Sequence, residues 1–109
     1  MVEDGENGVY IFGDLQKEIQ RIALGTGAAT DVFKMDEEDP DVFIVSEDGI
    51  NCWSSVQYVL DSHKAVIIVS HSCCEKAGLK QLPHYIQQQY HDLDIEYIED
   101  GVNPVFIAV

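Results

Sequence analysis

Positive charge is what this chain most lacks. Its 109 residues hold six Lys and Arg against twenty Asp and Glu, a net charge of −14, and Arg21 is the only arginine. Nucleic-acid binding needs clustered bases to displace counterions, so that class is excluded as an expectation. Side-chain clamping of phosphates is disfavoured for the same reason. No apolar run nears the roughly 20 residues of a membrane span, so no membrane association is expected. No basic-then-apolar amino terminus suggests secretion. The three cysteines, Cys52, Cys73 and Cys74, form no C-x-x-C pair, which disfavours a redox domain. An odd count without a framework fits a reducing, cytoplasmic setting. No internal repeat or low-complexity segment is present.

Hydrophobic residues make up 46% of the chain, which is enough for one globular domain without staples. Residues 1–8 are polar and glycine-containing and read as a flexible arm or linker stub, leaving 9–109 as the domain. Val9–Phe12 reads as a short strand, and Ile19–Leu24 as a second, ending at Gly25-Thr26-Gly27. A short helix is predicted over 28–35, stopped by the acidic loop Asp36–Asp39 and Pro40. Val42-Phe43-Ile44-Val45 and Val66-Ile67-Ile68-Val69 are continuous apolar runs, the mark of parallel strands covered on both faces. They are predicted to be adjacent, parallel and central.

Asn51 is a natural N-cap for a helix reaching about Ser62. A third helix carries Leu79, Leu82, Ile86 and Tyr90 on one side. Pro83 inside it predicts a kink, or a late helix start. Asp94–Ile98 alternates like an edge strand, and Val105–Ala108 reads as a last one. The order predicts an α/β fold: one layered domain, a mostly parallel sheet with helices on its faces.

The candidate chemistry gathers where the apolar runs end. His71 follows the second run, and Glu75 lies four residues on, in the first turn of the next helix. Open α/β sheets place ligands at the carboxyl ends of their strands. An imidazole and a carboxylate at that spacing can share a divalent cation such as zinc, iron, nickel or manganese. The plainer alternative is a strand-end histidine beside an acid that the helix dipole favours. Glu47, after the first run, is a third ligand, a residue holding His71 from behind, a general base, or an exposed acid. Gly25 and Gly27 either let backbone amides approach an anion or form a tight turn. Cys73 and Cys74 are soft ligands by type, or small packing residues. His63, His84 and His91 read as surface histidines.

Four segments carry a resemblance in their order and spacing. They are Ile22-Ala23-Leu24-Gly25-Thr26-Gly27-Ala28-Ala29, Asp41-Val42-Phe43-Ile44-Val45-Ser46-Glu47, His71-Ser72-Cys73-Cys74-Glu75-Lys76-Ala77-Gly78-Leu79, and Asp94-Ile95-Glu96-Tyr97-Ile98 followed by Asn103-Pro104. Over roughly residues 16–109 the chain resembles the carboxyl-terminal half of the NIF-three-like proteins, the GTP cyclohydrolase I type 2 homologues. The resemblance implies a duplicated α/β architecture, a dinuclear metal site between two halves, and a ring-shaped homo-oligomer. It implies metal-dependent hydrolysis of a small nucleotide-like substrate, with His71 and Glu75 as metal ligands. The family's other ligands, a histidine pair and an aspartate, belong to the amino-terminal half and have no match in these residues. After Glu47, where many members carry one or two histidines, this chain has Asp48-Gly49-Ile50-Asn51-Cys52.

Two expectations follow. One is part of a divalent-metal site, with weak or absent metal binding and little or no activity in this chain alone. The other is a non-catalytic interaction or assembly domain that keeps the fold without a complete site. The expected partner is a second copy of the chain or an amino-terminal half. The chain is read as either an excised domain or a natural stand-alone relative.

Overall fold

The computed structural model describes residues 7–14, 16–101, 105 and 107–109. Four strands form one sheet: β1 (Tyr10–Phe12), β2 (Ile22–Leu24), β3 (Val42–Ser46) and β4 (Ala65–Val69), in the spatial order β1-β4-β3-β2. β3 and β4 are central, adjacent and parallel, as their apolar runs predicted. Most of the arm expected over 1–8 lies outside the described residues; Asn7 and Gly8 have no regular structure.

The sheet is mixed rather than mostly parallel. β2 pairs parallel with β3, but β1 runs antiparallel to β4, with Phe12 opposite Val66. The reason is the connection. A parallel strand needs a crossover of about a dozen residues or more, usually helical. The described residues of 13–21 include no helix and keep to the amino-terminal edge of the sheet. There Lys17 Nζ donates to the His63 carbonyl at 3.1 Å, and the amides of Gln20 and Arg21 donate to Asp41 Oδ2, each at 2.9 Å. The chain leaves β1 and enters β2 at this one edge, so the two strands are opposed.

One face of the sheet carries the core. Phe43, Val45, Val66 and Ile68 alternate onto it and meet Val32, Val56 and Val59. Burying each such side chain contributes roughly 1.5–3 kcal/mol. Val32 begins the single-turn helix α1 (Val32–Met35), which Asp31 caps through the amides of Phe33 and Lys34. The helix expected from Ala28 starts only here. Val56 closes a π-helical turn, Cys52–Val56, that leads into α2 (Gln57–Asp61). Asn51 is the N-cap, its Oδ1 accepting from Trp53 N at 2.9 Å and Ser54 N at 3.1 Å.

α3 (His71–Gln87) follows β4 with Ser70 as N-cap and lies against β3. It runs through Pro83, so the late start is not realised. Its expected apolar side is largely open: Leu79 and Leu82 are exposed and Ile86 half-buried, while Tyr90 lies beyond the helix and is exposed. The buried residue on α3 is Lys76, whose Nζ pairs with Glu99 at 2.6 Å and Asp100 at 3.8 Å.

The two last strands are not formed by the described residues. Ile95 and Tyr97 are half-buried between exposed Asp94, Glu96 and Ile98, so the alternation is real, but no ladder accompanies it. The segment is held by ion pairs to α3 instead. Val105 and residues 107–109 are also outside any strand; Phe106 and Asn103-Pro104 lie outside the described residues.

Candidate functional site

Parallel pairing sets Ser46 level with Val69, so β3 and β4 end together. Beyond β3 the chain turns through a 3₁₀ segment, Glu47–Gly49; beyond β4 it enters α3 at His71. These exits bring residues 46–49 against the first turn of α3.

His71 sits between two carboxylates. Its Nδ1 is 2.6 Å from Asp48 Oδ2, and its Nε2 is 2.8 Å from Glu75 Oε1. Glu75 is one helical turn along α3, the i,i+4 neighbour. With both ring nitrogens facing carboxylates, the arrangement favours the imidazolium, which donates to both. The hydrogen bond to Glu75, then the one to Asp48, raises its pKa above the ordinary histidine value. The helix N-terminus opposes this positive charge, and the two carboxylates outweigh it. Asp48 is anchored in turn. Ser46, fully buried, donates its hydroxyl to Asp48 Oδ1 at 2.8 Å. That bond is the largest cause of the lowered Asp48 pKa, with the His71 hydrogen bond adding to it.

Glycine closes the site from above. Gly27 has φ +74°, and a Cβ there would stand 3.3 Å from His71 Nε2 and 3.5 Å from Glu75 Oε1. Its bare Cα therefore faces the gap between the imidazole and the carboxylate. Gly49 braces this turn: a Cβ on it would come within 2.5 Å of the Gly27 carbonyl. The Gly25 amide donates to the Ile44 carbonyl at 2.9 Å, extending the β2–β3 ladder, and Thr30 closes the loop on Gly27 O through its amide and hydroxyl. Gly25 thus serves the turn, and Gly27 is the glycine that meets His71 and Glu75. Beside the turn opens a cleft of about 390 Å³, lined by Leu24, Gly25, Thr26, Thr30 and Lys34 among others.

Glu47 is exposed, and Asp48 is the acid that meets His71. Both residues lie beyond their strands, Asp48 in the 3₁₀ turn and His71 in the first turn of α3, so the contact is made by that turn and no period in the sequence marks it. Cys52 is exposed, Cys73 and Cys74 are partly buried, and none of the three forms a disulfide.

His71 and Glu75 offer one nitrogen and one oxygen 2.8 Å apart. Neighbouring donors at bonds of about 2.0–2.2 Å stand about 2.8–3.1 Å apart around an octahedral cation and about 3.3–3.6 Å apart around a tetrahedral one, so the pair must open slightly for a tetrahedral ion. The pair supplies two donors of the types such an ion accepts, and Gly27 adds no side chain beside them. Asp48 is on the opposite ring nitrogen and does not converge with them. Among the described residues no group of three or more His, Cys, Asp or Glu is placed to hold a metal ion. The described residues alone do not make up a dinuclear set. Among the described residues, too, no helix is long and apolar enough to cross a membrane.

A family model described as Duf34/NIF3 (NGG1p interacting factor 3) matches residues 3–104. Among curated proteins, none matches the chain. Two solved structures share its fold. One is a Bacillus cereus protein related to NIF3, 12% identical with a TM-score of 0.73, matched over 98% of this chain and 30% of its own length. The other is a hypothetical protein of Staphylococcus aureus, 19% identical with a TM-score of 0.72, matched over 98% of this chain and 36% of its own. The chain thus spans about a third of the length of these structures.

Proposed function

From the premise that this chain belongs to the Duf34/NIF3 family, as the match over residues 3–104 shows, we propose that it supplies part of a divalent-metal site through His71 and Glu75. One observation carries the reading: Nε2 and Oε1 stand 2.8 Å apart beneath a glycine whose missing side chain leaves their gap uncovered. When bound, such a cation acidifies a coordinated water and so supplies a nucleophile for hydrolysis of a small, nucleotide-like substrate. The residues of this chain do the rest of their work by binding. His71 Nε2 and Glu75 Oε1 would hold the ion, His71 releasing to solvent the proton it shares with Glu75. Two donors fall short of the three protein ligands usual for catalytic zinc. The remaining ligands come from residues outside these 109 or from a partner. The chain alone therefore takes up one ion weakly and turns over little or no GTP. An odd count of three cysteines without a C-x-x-C pair fits a reducing, cytoplasmic setting.

The test is zinc and manganese titration of the purified chain beside His71→Ala and Glu75→Ala. One weak site, abolished in both variants, supports the reading. No uptake by the wild type, or uptake unchanged in both variants, overturns it.

A second reading, an assembly domain, is favoured by exposed apolar surface. Ile22 and Leu24 on the edge strand β2 are 59% and 68% exposed, and Leu79, Leu82 and Tyr85 on α3 are also open. Edges and faces of this kind recruit another chain. Under this reading the chain self-associates or joins an amino-terminal half. Light scattering that finds a strict monomer at high concentration removes the self-association.

A further inference from the structure

Asp48 occupies a position that neither an exposed loop acid nor a metal ligand needs. Its carboxylate bridges two elements. Oδ1 accepts from the hydroxyl of Ser46, and Oδ2 meets Nδ1 of His71 at 2.6 Å. Ser46 is the last residue of β3 and is fully buried, so its hydroxyl is fixed by the sheet rather than by solvent. His71, by contrast, is the first residue of α3, with its side chain 37% exposed. Nothing in its own helix turn sets the ring except Glu75, on the far nitrogen. The line Ser46–Asp48–His71–Glu75 therefore runs from a rigid strand end, through the ring, to the gap beneath Gly27.

We infer that Asp48, anchored by Ser46, is a positioning residue: it holds the His71 ring by Nδ1 and so delivers Nε2 as the metal-binding nitrogen beside Glu75. The inference rests on the metal reading above. Its physical basis is general. A ligating imidazole has two nitrogens, and the hydrogen bond made by one decides which the metal takes. A carboxylate behind the ring also raises its basicity, and losing such a partner commonly weakens metal binding by about 10–100-fold. Asp48 does not touch the ion. It acts through His71, and Ser46 acts through Asp48. Glu47, one residue earlier, lacks this contact.

Zinc chloride titrated calorimetrically into the full 109-residue chain tests this, with Asp48→Ala, Asp48→Asn and Ser46→Ala beside the wild type. Asp48→Ala is expected to weaken zinc binding about 10–100-fold. Asp48→Asn keeps an acceptor for Nδ1–H and recovers part of the loss; Ser46→Ala falls between wild type and Asp48→Ala. Nitrogen NMR of the zinc-loaded ring gives a readout that a merely structural residue would not move. The wild type shows Nε2 ligated with Nδ1 protonated, and Asp48→Ala shows a mixture of Nδ1- and Nε2-ligated rings. Should Asp48→Ala fail to fold, the near-isosteric Asp48→Asn and Ser46→Ala decide, and wild-type affinity in both overturns the inference. Zinc uptake by the wild type with unchanged affinity and ring state in Asp48→Ala overturns the role of Asp48 alone. No uptake by the wild type overturns the metal reading, and the role of Asp48 with it.

Discussion

Gly27 faces His71 so closely that a methyl group on its Cα would stand 3.3 Å from Nε2. Gly27→Ala therefore combines two effects. The left-handed backbone at φ +74° costs about 1–2 kcal/mol for an L side chain. The methyl also enters the gap between His71 and Glu75. Gly101 separates the two, because its φ is +70° with nothing within 4 Å of a built Cβ. Urea unfolding should show both alanine variants destabilised by similar amounts. Zinc titration should show weaker binding in Gly27→Ala only. Equal loss of zinc affinity in both would mean that Gly27 shapes the turn and not the site.

Stability should depend on pH through His71, with opposite signs in the two states of the site. The folded imidazole's pKa is raised, by the Glu75 hydrogen bond first and the Asp48 bond second. Without metal, the stabilisation is complete below the unfolded value of about 6.5 and is lost as pH rises through the raised folded value. With zinc present the direction reverses, because the ion must displace the proton on Nε2. Urea midpoints of wild type and His71→Gln, measured from acid to mildly alkaline pH with chelator, should converge as pH rises. With zinc they should diverge. A pH-independent gap under chelator would contradict the raised pKa.

Much of this was legible in the sequence, and the reasons are specific. Phe43 and Val66, both fully buried, belong to runs without alternation, and only strands covered on both faces tolerate that. His71 and Glu75 were legible because i,i+4 on a helix fixes proximity. The direction of β1 was not, since strand residues such as Tyr10 and Ile11 look alike in either orientation; the missing crossover decided it. Asp94–Ile98 showed the right period, but a period reports burial and not a ladder. The choice of Asp48 over Glu47 depended on the 3₁₀ turn after Ser46, which two neighbouring acids do not advertise.

At the opposite edge, Lys64 pairs with Asp36 and with Asp39, the latter at 2.8 Å, while Tyr58 OH donates to Asp36 at 2.6 Å. The Lys64 bond, then the Tyr58 bond, lowers the Asp36 pKa. Lys64→Met should leave Asp36 with Tyr58 alone and destabilise the fold by about 1–3 kcal/mol. Asp36's own contribution is present above its unfolded value of about 3.9 and lost as pH falls through the lowered folded value. The wild type should therefore lose stability in acid more steeply than Asp36→Asn, by urea titration. Parallel acid profiles would mean that this cluster is only a surface feature.

Lys76 ties the segment around Glu99 to α3. Its Nζ lies 2.6 Å from Glu99 Oε1 and 3.8 Å from Asp100 Oδ1, and Ser72 Oγ donates to Asp100 Oδ2 at 2.5 Å. The Glu99 hydrogen bond leads the causes that raise the Lys76 pKa. Lys76 is 3% exposed while the Glu99 side chain is 48% exposed, so the pair joins a buried cation on α3 to an acid at the solvent boundary. Lys76→Met keeps the side chain's bulk and should release the segment, because no strand ladder holds residues 94–101 among the described residues. Amide exchange over 94–101 should rise several-fold in Lys76→Met and less in Glu99→Gln, which keeps an acceptor for the ammonium. Ser72 and Lys76 lie beside His71 and Glu75 along α3 and reach toward Asp100 and Glu99. Zinc affinity should therefore stay at the wild-type level while exchange rises. Loss of zinc binding together with faster exchange would show that the segment's docking on α3 and the site's geometry are one cooperative unit. Unchanged exchange would show that contacts other than Lys76 hold it.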